Sequence, residues 1–136
     1  MSLAPLRKFC GSLPGATRDI KWGADEVYSV GNKMFAVFFV DGRTTRTVSF
    51  KVDSERFLEL TDRPGIVPAP YLARAHWVQL QEPDALSADD AKALLARSHA
   101  LVFSKLTRKL QAHIDGGSPV GSAKAQRSKG RANPSP

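Results

Sequence analysis

The sequence lacks the features that mark several specialised classes of protein. It holds one cysteine, Cys10, in 136 residues, so an intramolecular disulfide framework and a zinc ribbon are both excluded. Its longest unbroken apolar run, Met34–Val40, is seven residues long, far below the roughly 20 that a membrane-spanning helix needs. No apolar stretch follows the charges at Arg7 and Lys8, so no secretory signal is expected. These absences predict a soluble protein of the reducing cytoplasm.

The positive charge is spread unevenly along the chain. The net charge is +7, from 20 basic and 13 acidic residues. The segment Gly116–Pro136 holds four basic residues and no acid, and its apolar content is too low to offset the entropy lost on ordering it. We therefore predict one domain over residues 1–115, with a net charge of +3, and a disordered basic tail over residues 116–136.

Apolar periodicity and turn signals predict the order of the elements. The dipeptides Gly31-Asn32 and Asp41-Gly42 are typical hairpin turns, and Met34–Val40 is apolar at every position, which favours a central strand covered on both faces. The predicted elements are a helix over 3–13, strands over 26–30, 33–40 and 44–52, a helix after 53, a strand over 76–80 and a helix over 87–110. The fold class is α+β: a short N-terminal helix, an antiparallel β-meander, a short helix, further strands and a long C-terminal helix.

Seven short motifs in a fixed order resemble the MmcQ/YjbR family over about Leu3 to Leu106. They are Leu13-Pro14-Gly15, Lys21-Trp22-Gly23, Gly31-Asn32-Lys33-Met34-Phe35, Ser49-Phe50-Lys51-Val52-Asp53, Arg63-Pro64-Gly65, Pro68-Ala69-Pro70-Tyr71-Leu72-Ala73 and Trp77-Val78. The resemblance implies a CyaY-like α+β fold, also called a double wing, and a DNA-binding function. At Ser98-His99 the sequence departs from the Ser-Tyr that the family often has.

CyaY-like proteins include the frataxins, whose acidic first helix attracts iron. The first predicted helix here carries Arg7 and Lys8 and no acid. Because hard cations prefer clustered carboxylates, the iron-binding role is not expected to transfer.

Nucleic-acid binding needs exposed cations for phosphates and aromatic planes for unpaired bases. Arg43 and Arg46 lie around the Asp41-Gly42 hairpin, which would then act as a wing, whereas a solvated turn explains the same pattern. Trp22 and Trp77 are more often core or rim anchors than stacking platforms. The absence of a helix-turn-helix pattern favours weak or non-specific contacts with phosphates. The candidate residues are Lys21, Trp22, Lys33, Arg43, Arg46, Lys51, Arg74, His76 and Trp77.

The alternative prediction is a module that binds a small ligand or a protein. The stretch Pro64–Trp77 is rich in proline and aromatic residues. A cleft lined by Lys51, Tyr71, Arg74 and Trp77 would suit a small anionic or aromatic ligand. Prolines that merely hold an irregular crossover against the sheet explain the same composition.

The sequence offers little for catalysis. Its histidines, His76, His99 and His113, have no cysteine or carboxylate at metal-ligand spacing. The pairs Asp25-Glu26 and Asp89-Asp90 are expected at a turn and at a helix start, because adjacent carboxylates project differently and do not form a general acid and base pair. Cys10 is expected in the core. We predict a non-enzymatic protein with no metal and no cofactor.

Overall fold

The computed structural model describes residues 3–22, 25–41 and 44–116. These residues form two compact units, the first ending at Val102 and the second beginning at Phe103. The predicted tail lies outside the described residues except for Gly116. The elements are α1 (Ala4–Gly11), β1 (Ala16–Lys21), β2 (Asp25–Val30), β3 (Lys33–Asp41), β4 (Thr44–Lys51), α2 (Ser54–Thr61), β5 (Ile66–Pro68), β6 (Trp77–Leu80), α3 (Ala88–Phe103) and α4 (Arg108–Gly116).

The strands form one antiparallel sheet in the order β1-β2-β3-β4-β6-β5. The predicted α+β class is confirmed. β3 lies between β2 and β4, as its apolar run predicts. Phe35 and Phe38 are fully buried, but Phe39 is 40% exposed, so the predicted cover on both faces is incomplete. Gly31 and Asn32 both adopt positive φ, 57° and 67°, which is the geometry of the two-residue hairpin turn that they predict. Gly42 of the second predicted hairpin lies outside the described residues.

The edge strand β1 is absent from the sequence-based prediction. Its residues, Ala16 to Lys21, are almost all exposed, and the apolar residue Ile20 is 47% exposed. A strand that buries no side chain has no apolar alternation to reveal it. Only its pairing with β2, from Ala16 opposite Val30 to Lys21 opposite Asp25, makes it part of the sheet.

The strand register gives the sheet two different faces. The inner face carries Glu26, Tyr28, Phe38, Phe50 and Leu80. Helix α1 packs on it, because a Cβ placed on Gly11 would lie 3.6 Å from the Tyr28 ring. The outer face carries Val27, Val37, Ser49, Lys51, Trp77 and Gln79.

A β-bulge in β4 interrupts the regular alternation of its side chains between the two faces of the sheet. Phe39 pairs with Thr47 but Val40 pairs with Thr45, so Arg46 is an extra residue in β4. Ser49 and Lys51 stay on the outer face. Thr45 turns to the inner face, where its Oγ1 accepts a hydrogen bond from Arg7 Nη1 at 3.2 Å.

The long C-terminal helix predicted over 87–110 is two helices. α3 ends at Phe103 and α4 begins at Arg108. Thr107 begins the second helix, since its Oγ1 accepts the Leu110 N–H at 3.2 Å. The apolar stripe continues through the break, which is why the apolar periodicity alone predicts one helix.

Glu26 is not the turn acid that the sequence analysis predicts but a buried residue, 2% exposed. Arg7 donates to it through two nitrogens, Nε at 3.0 Å and Nη2. Arg18 Nη2 donates at 3.1 Å and the Tyr28 hydroxyl at 2.9 Å. Burial alone would raise the pKa of Glu26, but the hydrogen bonds from these three side chains outweigh it and lower the pKa to about 2.

Candidate ligand-binding groove

A groove of about 400 Å³ opens on the outer face of the sheet. Val37 and Ser49, 4% and 3% exposed, form its floor. The segment after β5 forms one side, and the residue after β1 forms another. The described residues that line it are Trp22, Asp25, Met34, Val37, Phe39, Ser49, Pro70, Tyr71 and Leu72.

Three aromatic side chains of this groove are exposed to solvent. The relative exposure is 67% for Trp22, 104% for Tyr71 and 40% for Phe39. Leaving such large apolar side chains in water forgoes the stabilisation that burial gives. A contiguous exposed apolar patch of this kind marks an interaction site on a folded domain.

The backbone holds two of these aromatic residues in an unfavourable conformation. Trp22 has φ 52° and Tyr71 has φ 67°, in the left-handed region that bulky residues rarely adopt. The segment that carries Tyr71 is fixed to β6, because the Ala69 N–H donates to the Trp77 carbonyl at 3.0 Å and the Trp77 N–H donates to the Leu72 carbonyl at 3.3 Å. Such strain persists where the surrounding structure imposes it, and it concentrates at functional sites.

A small apolar cluster supports the groove from below. Val27, Val37, Ala69 and Trp77 are buried together, and Met34 and Leu72 pack against them. Because Met34, Val37 and Leu72 also line the groove, its walls are continuous with the core on this face of the sheet. The floor of the groove and part of its walls are therefore built on packed residues of the outer face.

Asp25 is the one acidic side chain among the described residues that line the groove. Glu26 pairs with Phe38 on the inner face, so Asp25 and Phe39 follow that pair on the outer face. Burial raises the pKa of Asp25. Among the described residues no hydrogen bond or ion pair is made to its carboxylate, so its charge is available to a ligand.

The family model described as YjbR matches residues 11–101, two thirds of the chain. This chain belongs to the YjbR family. The crystal structure of the Deinococcus radiodurans protein DR2400, a DUF419 domain, is similar with a TM-score of 0.74 at 25% identity, over 92% of this chain and 96% of that chain. A protein from Pseudomonas syringae is similar with a TM-score of 0.61 at 20% identity, over 75% of this chain and 99% of that chain. No curated protein matches the sequence.

The region matched to the YjbR family includes every described residue that lines the groove. It also includes Ser98-His99, where the family often has Ser-Tyr. Ser98 Oγ donates to the Phe35 carbonyl at 2.7 Å and accepts the Lys51 N–H at 2.9 Å, so it ties α3 to β3 and β4. His99 Nε2 lies 2.7 Å from the Pro14 carbonyl oxygen, and its ring meets that of Phe35 edge to face. Both side chains are buried structural groups.

The predicted nucleic-acid residues lie in different environments. Lys21, Lys33 and Arg74 are exposed, as is Trp22. His76 is half-buried, with its ring edge-on to that of Phe57. Arg43 and the side chain of Arg46 lie outside the described residues, so the predicted wing does too.

Of the four residues predicted to line one pocket, only Tyr71 lines this groove. Trp77 is 5% exposed and belongs to the supporting cluster. Lys51 pairs with it across the strands, and its Nζ donates to the Ala75 carbonyl at 2.6 Å. Arg74 is exposed on a short 3₁₀ turn, Ala73–Ala75.

No sequence pattern predicted Asp25, Met34, Phe39 or Pro70 as site residues. They come from segments up to about 45 positions apart, and no local motif connects them. The usable signal was the position of two aromatic residues beside turn residues, Trp22 before Gly23 and Tyr71 after Pro70.

A second cleft, of about 210 Å³, lies between α2 and α3 and is charged. Arg97 Nη2 pairs with Asp53 at 3.0 Å. Arg56 Nε pairs with Glu59 at 3.2 Å, and Arg63 Nη2 donates to the Ala85 carbonyl at 3.3 Å. Its arginines are thus engaged within the protein, and the Arg97–Asp53 pair joins α3 to the residue before α2.

Neither a metal centre nor a membrane span is found in the part of the chain that the structure describes. No three His, Cys, Asp or Glu side chains of these residues are grouped closely enough to hold a metal ion. None of the helices within the described ranges has the length and apolar character needed to cross a membrane.

Proposed function

We propose that this YjbR-family chain is a non-enzymatic binding protein that holds a small organic ligand in the outer-face groove. The observation that carries the proposal is the presence of three exposed aromatic side chains around one apolar groove of about 400 Å³. Small-molecule sites are concave, mostly apolar and lie in roughly this range of volume, with a few polar groups that fix orientation. Asp25 and Ser49 are those polar groups here.

The lining chemistry supports binding over catalysis. Asp25 and Tyr71 are the only titratable side chains among the described residues of the groove, and Tyr71 is fully exposed at its rim. A general acid or base must lie within hydrogen-bond reach of the proton that it transfers, and a phenol at the solvent-exposed rim is poorly placed to assist the Asp25 carboxylate. Cys10 is fully buried, and burial raises the pKa of its thiol to about 12, so it does not act as a nucleophile. We include a cytoplasmic location in the proposal, because a single free thiol suits a reducing compartment.

The test uses N-phenyl-1-naphthylamine, an uncharged aromatic dye that fluoresces in apolar sites. The full-length chain should enhance its emission, and Trp22→Ala and Tyr71→Ala should each weaken dye binding by about tenfold, the loss expected for one stacking contact of about 1.4 kcal/mol. Leu58→Ala is the matched control, because Leu58 is 77% exposed on α2 and does not line the groove. Circular dichroism should show all three variants folded.

Two results would contradict the proposal. The first is no dye binding by the wild-type chain. The second is equal loss of binding in Leu58→Ala and in the two groove variants, which would place the dye elsewhere.

Nucleic-acid binding is the second candidate, and one arrangement favours it. Lys21 and Trp22 are adjacent and both are exposed. Arg74 lies three residues after Tyr71, and both of these side chains are exposed too. Such interleaving would let unpaired bases stack while cations meet the phosphates, in line with the DNA-binding role that the family resemblance implies. It is second because the Asp25 carboxylate in the groove would repel a phosphate.

A further inference from the structure

We infer that the groove selects an organic cation carrying a methylated ammonium group. This inference rests on the proposed ligand-binding function and names the class of ligand. The observation that points to it is that three exposed aromatic side chains, Trp22, Phe39 and Tyr71, line the same groove as the Asp25 carboxylate.

The aromatic side chains supply the first part of the recognition. The face of an aromatic ring carries negative potential, strongest for Trp, and attracts a cation placed over it. Trp22, Phe39 and Tyr71 are at least 40% exposed, so their surfaces are open to a ligand rather than packed in the core. A set of such rings is the usual way in which proteins bind quaternary ammonium groups.

Asp25 supplies the second part. Its carboxylate has no hydrogen-bond or ion-pair partner among the described residues, and it lies in a partly buried position of the groove where a charge is weakly screened. An ammonium group near it gains Coulomb energy, whereas a ligand phosphate or carboxylate is repelled. The groove therefore favours a cationic ligand over an anionic one, although the exposed Lys21 pairs with Asp25 across the strands.

The apolar walls favour a methylated ammonium over other cations. A primary ammonium carries three N–H donors, and in the groove it would exchange water for the few polar groups that the described lining offers, which are Asp25, Ser49 and the distal phenol of Tyr71. A hard metal ion needs six or more oxygen ligands. Methyl groups on nitrogen need no acceptors, and they can contact Met34, Val37 and Leu72 directly.

The test compares choline with 3,3-dimethyl-1-butanol, which has the same shape but a carbon in place of the charged nitrogen. Each competes with N-phenyl-1-naphthylamine on the full-length chain at constant ionic strength. Choline should displace the dye at about tenfold lower concentration than the neutral alcohol. Asp25→Asn should remove most of that difference, and Asp62→Asn, at an exposed carboxylate after α2, should not.

The outcomes separate this inference from the proposed function. Dye binding with equal displacement by the two competitors would overturn the cation inference and leave the ligand-binding function standing. Failure of the dye to bind at all would overturn both. The comparison on the wild-type chain decides the matter even where Asp25→Asn does not fold.

Discussion

At the scale of single residues, the buried polar groups are the most constrained part of this protein. Glu26 is 2% exposed and accepts from Arg7, Arg18 and Tyr28. Its carboxylate has two oxygens, and both are used. A buried carboxylate is stabilising only with its full set of donors. Removing it would leave the partly buried guanidinium of Arg7 without its charged partner and the Tyr28 hydroxyl without its acceptor.

Glu26→Gln should therefore lower the free energy of unfolding and make it less dependent on pH in the acid range. The folded pKa of about 2 lies below the ordinary 4.5, so the stabilisation is complete above about pH 4.5 and is lost as the pH falls toward 2. The shift corresponds to about 3 kcal/mol as an upper value. Urea unfolding between pH 7 and pH 2.5 measures it, and the variant should lose this pH dependence.

The matched control is Glu59→Gln, which removes an exposed ion pair with Arg56 on α2. Surface pairs of this kind contribute less than about 1 kcal/mol. Equal effects of the two substitutions would show that the Glu26 network is no more important than a surface pair.

At the scale of elements, the side chains of Thr107 and Gln111 bond to backbone groups at the break between α3 and α4. Thr107 Oγ1 accepts the Leu110 N–H at 3.2 Å, and the Thr107 carbonyl accepts the Gln111 N–H at 2.9 Å. Gln111 Nε2 in turn donates to the carbonyls of Phe103 and Leu106. The backbone N–H and C=O groups that would bond to each other in a continuous helix thus bond to the side chains of the capping residues.

Thr107→Ala should loosen the start of α4. The loss of an N-cap hydroxyl costs about 1 kcal/mol, so amide hydrogen exchange at Leu110 should become about fivefold faster. Thr107→Ser keeps the hydroxyl and should stay close to the wild-type rate. An unchanged rate in Thr107→Ala would mean that the cap does not set the start of this helix.

At the scale of the whole molecule, charge and ligand recognition are separable. The net charge of +7 falls to +3 when residues 117–136 are removed. The groove, with Asp25 as the acidic residue of its described lining, belongs to the first unit. A non-specific attraction to polyanions follows net charge, whereas binding in the groove follows its shape and aromatic side chains.

Removing residues 117–136 should therefore abolish most binding to a single-stranded thymidine 20-mer and leave displacement of the dye by choline unchanged. Fluorescence anisotropy at about 50 mM salt measures the first, since phosphate contacts weaken steeply with salt. Binding that survives the truncation, is lost in Lys21→Ala with Arg74→Ala, and persists in the exposed control Lys8→Ala would instead support the nucleic-acid candidate.

Prediction from sequence succeeded where a local pattern carries the whole signal. Met34–Val40 predicted a central strand, and Gly31-Asn32 predicted a hairpin with two positive φ angles. It was wrong or incomplete where the cause lies outside the segment. β1 buries almost no side chain and is part of the sheet through its pairing with β2, and the bulge at Arg46 turns Thr45 to the inner face by a register shift that no alternation reveals.

The groove could be predicted in part only, for the same reason. Tyr71 was among the candidate pocket residues, but Asp25, Phe39 and Ser49 join it through strand pairing and through the crossover that follows β5. Residues that are distant along the chain meet in the groove because of the register of the strand pairs. That register depends on every strand between them.

The sequence by itself determined the α+β class, the central apolar strand, the hairpin turn and the concentration of positive charge after Gly116, because each depends on residues that are neighbours in the chain. The tertiary structure alone decided which of the two tryptophans is available to a ligand. Trp77 is covered because Ala69 and Leu72 fold over it, and Trp22 is open because no described segment packs above it. The exposure of a side chain depends on which other segments pack against it, and the neighbouring sequence does not specify those segments.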